Sequence, residues 1–498
     1  MKDILLELIR KTSSFLPPDV EETILALSKL EEKNSMASFA MELVQKNSNL
    51  AKQRSLPICQ DTGTITFYVK KPKGFSEKKF IKDAESAVEE ATKVGYLRQN
   101  SVDSITGKNP GNNLGPGSPV FYFEEWEKDD IEIKLILKGG GCENCSTQYS
   151  LPTTIEGKKY GRDLEGVKAV ILDGIFKAQG KGCAPGFIGV CIGGDRANSY
   201  SYAKKQLLRE ISDLNPDPKL AELEKKIFEE ANKLNIGPMG FSGKFTIGGC
   251  KIGSLMRLPA SFFVSIAYMC WAYRRRGVLL SKKGKVVKWL YEKDEEFKDL
   301  EKLDVKFEPK ADVKILNTPL KEEDVRALNV GDMVLLNGQI FTGRDAVHKY
   351  LYEGGELPQI KGGIIYHCGP VVVEKGGKYE VVAAGPTTSI REEPYQGEII
   401  KKFGIKGVIG KGGMGQNTLK ALKEHGAVYF HAIGGAAQIY AILTKKVNGV
   451  YLKEFGSPEA VWDFEVENYP LVVTMDSKGN SLHQIVEDKS REVLKNLI

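Results

Sequence analysis

Histidine is missing from the first two thirds of this 498-residue chain: all five histidines stand at 348, 367, 425, 431 and 483. Seven of the eight cysteines, at 59, 142, 145, 183, 191, 250 and 270, fall in the histidine-free part, and only Cys368 follows. A mixed histidine and cysteine zinc site is thereby excluded there, and a soft, thiolate-bound metal is the metal chemistry that remains. A long apolar run is also absent. The richest stretch, Phe262 to Tyr273, is shorter than the roughly 20 residues that a bilayer-spanning helix needs. The opening MKDILLELIRK has neither the apolar core nor the small-residue cleavage site of a secretory leader, so the expectation is a cytoplasmic protein without a membrane partner. Charge of one sign is scarce too. Lysine and arginine total 71 against 65 acids, a net +6, which argues against a nucleic-acid partner and leaves an anionic small molecule open. No internal repeat, no Walker P-loop and no dinucleotide-binding GxGxxG between strand and helix is found.

What the chain does have is a globular composition, 41% hydrophobic and 27% charged, with 52 glycines gathered in clusters such as Gly139-Gly140-Gly141 and Gly412-Gly413. Its length predicts two or more domains. The first 50 residues read as three helices. A strand (TITFYVK), a helix from Ser76 to Gly95, two strands (PVFYFEEW, IEIKLILK) and the loop KGGGCENC come next, an α/β alternation. A helix at GRDLEGVKAVILDGIFKAQ leads into the small-residue strand GCAPGFIGVCIGG, then two charged helices between Ala197 and Leu234. The apolar run ASFFVSIAYMCWAYRRR reads as one helix carrying Cys270. From Arg274 to Lys310 the sequence turns charge-dense, which marks a domain boundary. Beyond it, strand-like runs ending in glycine, proline or asparagine alternate with helices such as NTLKALKEHG.

Three cysteines sit where loops or helix ends place thiols: Cys59 after Pro57, Cys183 between Gly182 and Ala184-Pro185, and Cys270 on the helix that runs into the arginines 274 to 276. Cys191 and Cys250, in apolar runs, read as structural. Cys142 and Cys145 form a C-x2-C pair with no second such pair, which speaks against zinc. Gly343-Arg344, Thr387-Thr388-Ser389-Ile390-Arg391 and Gly410-Lys411-Gly412-Gly413 suit anion recognition, through a guanidinium fork and backbone amides. Asp61 and Thr387 combine proton-transfer capacity with a glycine-rich setting, although an N-cap or a turn would explain either one alone.

Taken together, PICQDTGT, YLRQNSVD, LKGGGCEN, GCAPG and MCWAYRR, then TGRDAVH, YHCGP, GPTTSIR, IGKGGMG and PEAVWDFEVENYPL, resemble the class I iron-sulfur hydro-lyases, the fumarate hydratases and L-tartrate dehydratases. The resemblance implies an α/β fold of two domains: a helix-rich cluster-binding alpha-type part over 1–278 and a smaller, β-rich, swivelling-type beta-type part over 305–498, joined by a charged connector at 279–304. It implies a 4Fe-4S cluster held by Cys59, Cys183 and Cys270 with one iron open as a Lewis acid. It places Thr387 as base at carbon and Asp61 as its acidic partner, and assigns Gln60, Arg98, Gly141, Arg344, Arg391 and Lys411 to a small dicarboxylate. A homodimer is also implied. The family usually has histidine twelve residues before the third cluster cysteine, where this chain has Leu258. Cys142 after the triple glycine is closer to the tartrate dehydratases, whereas GSPEAVWDFEVENYP leans toward fumarate hydratase. The expected reaction is fumarate hydration, then tartrate dehydration, then hydration of a substituted fumarate of the mesaconate type. A non-enzymatic iron-sulfur carrier or redox sensor is the reading from a different class.

Overall fold

The computed structural model describes residues 1–293 and 313–498, which form two compact units. The first takes Met1–Pro18, Leu43–Lys138 and Arg274–Ser481; the second takes Asp19–Glu42, Gly139–Tyr273 and Leu482–Ile498. The first unit therefore draws on sequence from both sides of the charged segment, and the chain order and the compact units are different divisions.

Two larger sheets and a two-stranded one, Val371–Lys375 with Lys378–Ala383, build the first unit. A five-stranded sheet has the order Val286–Leu290, Arg274–Leu280, Ile131–Lys138, Thr64–Lys71, Val120–Glu125. Strand Thr64–Lys71 alternates apolar residues toward the helices Lys2–Ser14 and Glu77–Lys93, and Phe67, Phe80, Leu8 and Val278 share one core. Ser76 starts the second of these helices by accepting a bond from the Lys79 amide at 3.3 Å. The other larger sheet has seven strands, in the order Lys314–Asn317, Met333–Thr342, Ile364–Tyr366, Gly407–Gly410, Val428–His431, Val461–Met475, Thr444–Tyr451. Because Val461–Met475 pairs with Val428–His431 and also with Met333–Thr342, five of these strands close into a ring. A closed ring leaves short parallel strands buried; Arg344 and Lys411 follow the ends of Met333–Thr342 and Gly407–Gly410, and Thr387 follows Lys378–Ala383 and bonds to His367, just past the end of Ile364–Tyr366.

The second unit contains a four-stranded sheet, Thr147–Ser150, Phe263–Met269, Gly186–Gly193, Ile247–Leu255. Strand Gly186–Gly193 is buried throughout, and Gly189 lies so close to the Ala203 carbonyl that no Cβ would fit. That close approach seats the helix Arg196–Gln206, which Asp195 caps.

Two sequence expectations need correction. The predicted helix through 260–276 is two strands, Phe263–Met269 and Arg274–Leu280, with Cys270 in the turn between them. Val264 to Met269 is buried on both faces of its sheet, so neither a strand period nor a helix period is visible, and its β-branched and aromatic residues favour the extended form. The loop KGGGCENC contains a short helix, Gly140–Asn144. Residues 279–304, read as a connector, hold the end of strand Arg274–Leu280 and the strand Val286–Leu290, which completes the five-stranded sheet; those from 294 lie outside the described residues. Among the described residues no helix is long and apolar enough to cross a membrane.

Candidate active site

The first unit assembles its polar centre around the loop that follows the helix Met36–Arg54. Asn47 on that helix is fully buried and makes four bonds. Its Nδ2 donates to the carbonyls of Ile58 at 2.9 Å and Gly435 at 3.2 Å, while its Oδ1 accepts from the amides of Gln438 at 2.8 Å and Ile439 at 3.2 Å. Gln438 answers by donating to Pro57 O at 2.7 Å and Val382 O at 2.9 Å. The Cys59-Gln60-Asp61 turn is thus tied to the helix Ala437–Leu443 through groups that would otherwise be buried without partners.

From this turn Gln60 donates to Pro386 O at 2.9 Å, and its side chain occupies the space a Cβ on Gly385 would need. The Asp61 carboxylate stands 3.8 Å from Arg98 Nη2 and accepts from Asn100 Nδ2 at 3.3 Å. Burial pushes the Asp61 pKa up, but Arg98, Arg274, Lys411 and Arg344 together hold it below the usual carboxylate value. Arg98 is buried, its guanidinium donates to Gly369 O at 2.6 Å, and its backbone amide donates to Thr62 Oγ1 at 3.1 Å. Its pKa falls to about 10, chiefly by burial and then by the like charge of Arg344. Arg344, at the start of the helix Asp345–Tyr352, lies 3.1 Å from Glu459 and 3.9 Å from Asp345. A Cβ on Gly369 would come 2.5 Å from Arg344 Nη1 and 2.6 Å from Pro458 O, so glycine there is what lets the guanidinium lie against backbone. Burial pushes the Cys59 thiol up to about 11, with Arg274 and Lys411 opposing it.

Thr387 is fixed by its amide, which donates to His367 O at 2.7 Å, and its hydroxyl oxygen accepts from Arg391 Nη2 at 3.0 Å. The same nitrogen is 3.1 Å from Asp345. The Ser389 amide donates to Lys411 O at 3.1 Å, which brings the glycine-rich GKGG turn alongside. The amide of Gly412 in that turn is already used: it donates to His431 Nε2 at 3.0 Å. Beneath the loop, His348 and His367 flank the amide of Gln396 at 2.9 and 2.8 Å, and Ser389 joins His367 to Tyr429. Burial holds both imidazoles neutral by lowering their pKa values. Gln60, Asp61, Arg98, Arg344, Thr387, Arg391 and Lys411 are all in this unit.

Cys183, Cys270 and Gly141 are in the second unit. Cys183 is buried in a left-handed backbone conformation, φ 50°, a strained position for cysteine. Its carbonyl accepts from the Trp271 amide at 3.4 Å, and the Cys270 amide donates to Cys142 Sγ at 3.3 Å. The phenol of Tyr268 is pushed well up by burial and then by the thiols of Cys145, Cys142, Cys270 and Cys183. Its ring rests on Gly182 and Gly186, where any Cβ would strike it. Gly141, in the short helix, gives its carbonyl to the Cys145 amide at 3.2 Å, and Leu258 is exposed on the loop before Phe263–Met269. Among the described residues no group of three or more histidine, cysteine or acidic side chains is placed to hold a metal ion. Cys59, Cys183 and Cys270 are nevertheless buried and free of disulfides, and such thiols fit the donor chemistry of an iron-sulfur centre.

The family described as fumarate hydratase (fumerase) matches residues 2–278, and that described as fumarase C-terminus matches residues 284–486. A Geobacillus stearothermophilus protein named as a class I fumarate hydratase is 52% identical over 497 residues, covering 98% of this chain and 96% of its own length. The chain belongs to the class I fumarate hydratase family. Relatives of this hydro-lyase also occur in two pieces. A Methanocaldococcus jannaschii protein named as L(+)-tartrate dehydratase subunit beta is 44% identical over 186 residues, 36% of this chain and 95% of its own length. The protein of the same organism named as the alpha subunit is 33% identical over 287 residues, 55% of this chain and 95% of its own length.

Sequence reasoning about this fumarate hydratase relative missed Asn47, Gln438, Arg274 and Glu392. Asn47 and Gln438 lie 391 positions apart and carry no local motif. Arg274 stands in the sequence only as one of three arginines after Cys270, and its burial in the strand Arg274–Leu280 is supplied by the fold. Glu392 is one of two adjacent acids that form no motif with their neighbours in sequence, and it is fully buried.

Proposed function

We propose that this hydro-lyase catalyses the reversible hydration of fumarate to L-malate. The observation that carries the reading is the convergence of Arg98, Arg344 and Lys411 on an ionised Asp61, in the same unit where Arg391 holds the Thr387 hydroxyl. That is a charge pattern for a dicarboxylate, and the full-length relative named as a class I fumarate hydratase supports it. A 4Fe-4S cluster on Cys59, Cys183 and Cys270 would supply an open iron as Lewis acid toward the substrate's oxygen atoms. The protein's own residues do the rest. The four cations Arg98, Arg344, Arg391 and Lys411 bind and orient the two carboxylates, with Gln60 and Gly141 as further contacts. Thr387 takes the proton from the carbon beside a carboxylate during dehydration, and the Arg391 N–H on its oxygen stabilises the negative charge such a base must bear. Asp61, ionised at rest, takes the hydroxyl proton that Thr387 gives up as it acts and passes it to the departing hydroxide, which leaves as water and returns both groups to their starting states.

The same reading includes the alpha-type part over 1–278 and the beta-type part over 305–498, a division supported by family matches at 2–278 and 284–486. A cytoplasmic homodimer completes it. The test is an anaerobic assay of reconstituted protein with malate, fumarate, tartrate and mesaconate, followed by absorbance of the conjugated acid. Malate and fumarate are expected to interconvert fastest. A preference for tartrate would transfer the reading to tartrate dehydration, and no turnover with any of the four would favour a carrier or sensor. Cys183→Ser should remove cluster absorbance and activity together, whereas Arg391→Ala should keep the absorbance and raise KM.

A further inference from the structure

Two adjacent glutamates close the Thr387–Arg391 loop, and the fold treats them oppositely. Glu393 is saturated: it accepts from Gly415 N at 2.7 Å, Thr418 Oγ1 at 2.6 Å, Asn417 N at 3.0 Å and Thr418 N at 3.2 Å, and so caps the helix Gln416–His425. Glu392 is 0% exposed, yet neither of its carboxyl oxygens has a hydrogen-bond partner among the described residues. The near cation is Arg391, whose Nη2 stands 3.8 Å away and is already engaged by Thr387 and Asp345. The charged and titratable groups facing Glu392 are Asp345 and Arg344 at the start of their helix, Arg391 on its own turn, and the Tyr429 phenol on Val428–His431. His348 and His367, held neutral nearby, add no charge.

A buried carboxylate without donors is unstable as an anion. Burial and then Asp345 push the Glu392 pKa up to about 8, against Arg391, Arg344 and, least, its own backbone amide. We propose that Glu392 is a positioning residue that carries a proton while substrate is bound and, on losing it, draws Arg391 away from Thr387 and the substrate carboxylate. The inference rests on the dicarboxylate reading of Arg391. Protonated, Glu392 leaves the guanidinium to Thr387 and the substrate. Ionised, it becomes a buried counter-ion that needs donors, and Arg391 is the donor within reach.

The experiment compares reconstituted wild type with Glu392→Gln, which keeps the shape and cannot ionise. KM and kcat for L-malate are measured from pH 6.5 to 9, a range in which Arg98, at about 10, stays charged. Malate is a dianion throughout, so its own titration does not enter. If the ionised form does not bind, one pH unit past the midpoint leaves roughly a tenth of the enzyme competent, so wild-type KM should rise about tenfold by pH 9 while kcat changes less. The Glu392→Gln KM should stay flat. A flat wild-type profile, or equal slopes in both proteins, overturns the proposal.

A melting titration supplies a readout independent of turnover. Between about 4.5 and 8 the folded protein keeps a proton that the unfolded chain has released, so wild type should lose stability relative to Glu392→Gln as pH rises through that window. Parallel melting curves would overturn the proton on Glu392. Failure of malate turnover at every pH would instead overturn the substrate reading, and the melting titration would still decide the Glu392 proton.

Discussion

Thr387 makes two contacts of different kinds, one through its backbone and one through its hydroxyl, and they separate under mutation. The amide bond to His367 O at 2.7 Å sets where the residue stands, while the Arg391 bond at 3.0 Å sets what its oxygen can do. Thr387→Ser keeps both and should retain activity within about tenfold. Thr387→Val keeps the shape and the amide but presents a methyl to Arg391, and should lower kcat by roughly 10²–10⁴, the usual range for a proton-transfer group. Single-turnover rates with malate check this, with cluster absorbance as the control for folding. Equal rates for the two variants would remove Thr387 from proton transfer. Glu392 and Arg391 follow from the same logic: what a side chain does here depends on which of its atoms remain uncommitted.

Among the elements, the Asn47 and Gln438 pair decides whether the cysteine-bearing turn stays in place. Asn47→Ala would leave the carbonyls of Ile58 and Gly435 and the amides of Gln438 and Ile439 with one partner fewer. Unpaired buried groups destabilise by about 1–3 kcal/mol each before relaxation, so a net loss of roughly 3 kcal/mol is expected, read as a lowered Tm or denaturation midpoint. A change under 0.5 kcal/mol would show that the turn is held otherwise. Much of this architecture was legible beforehand. Amphipathic spacing located the opening helices, turn residues bounded the strands around Gly139 and Gly385, and the glycine-flanked motifs marked the loops that carry Asp61, Thr387 and Lys411. The fully buried run Val264–Met269 was not legible as strand, because burial on both faces erases the alternation that identifies one. Asn47 and Glu392 were not legible either, since what distinguishes them is the set of neighbours the fold supplies rather than any local pattern.

For the molecule as a whole, the first compact unit draws on sequence from before 294 and from after 312, so its site should be separable and restorable. Gln60 reaches Pro386, Arg98 reaches Gly369, and Gln438 reaches Pro57, each joining a residue before 294 to one after 312. Val371, Val382, Ala383 and Ala437 form an apolar cluster on which Leu56 also packs. The relatives named as tartrate dehydratase subunits match the two stretches as separate proteins. Separate chains 1–293 and 313–498 should therefore each be inactive, because the first lacks Thr387, Arg344, Arg391 and Lys411 and the second lacks Gln60, Asp61 and Arg98. Co-expressed, they should co-purify and recover at least a tenth of the intact protein's malate turnover after anaerobic reconstitution. Full activity from 1–293 alone would remove the rear cations from the site. Stable association without activity would mean that the continuous chain between 293 and 313 contributes more to catalysis than a tether does.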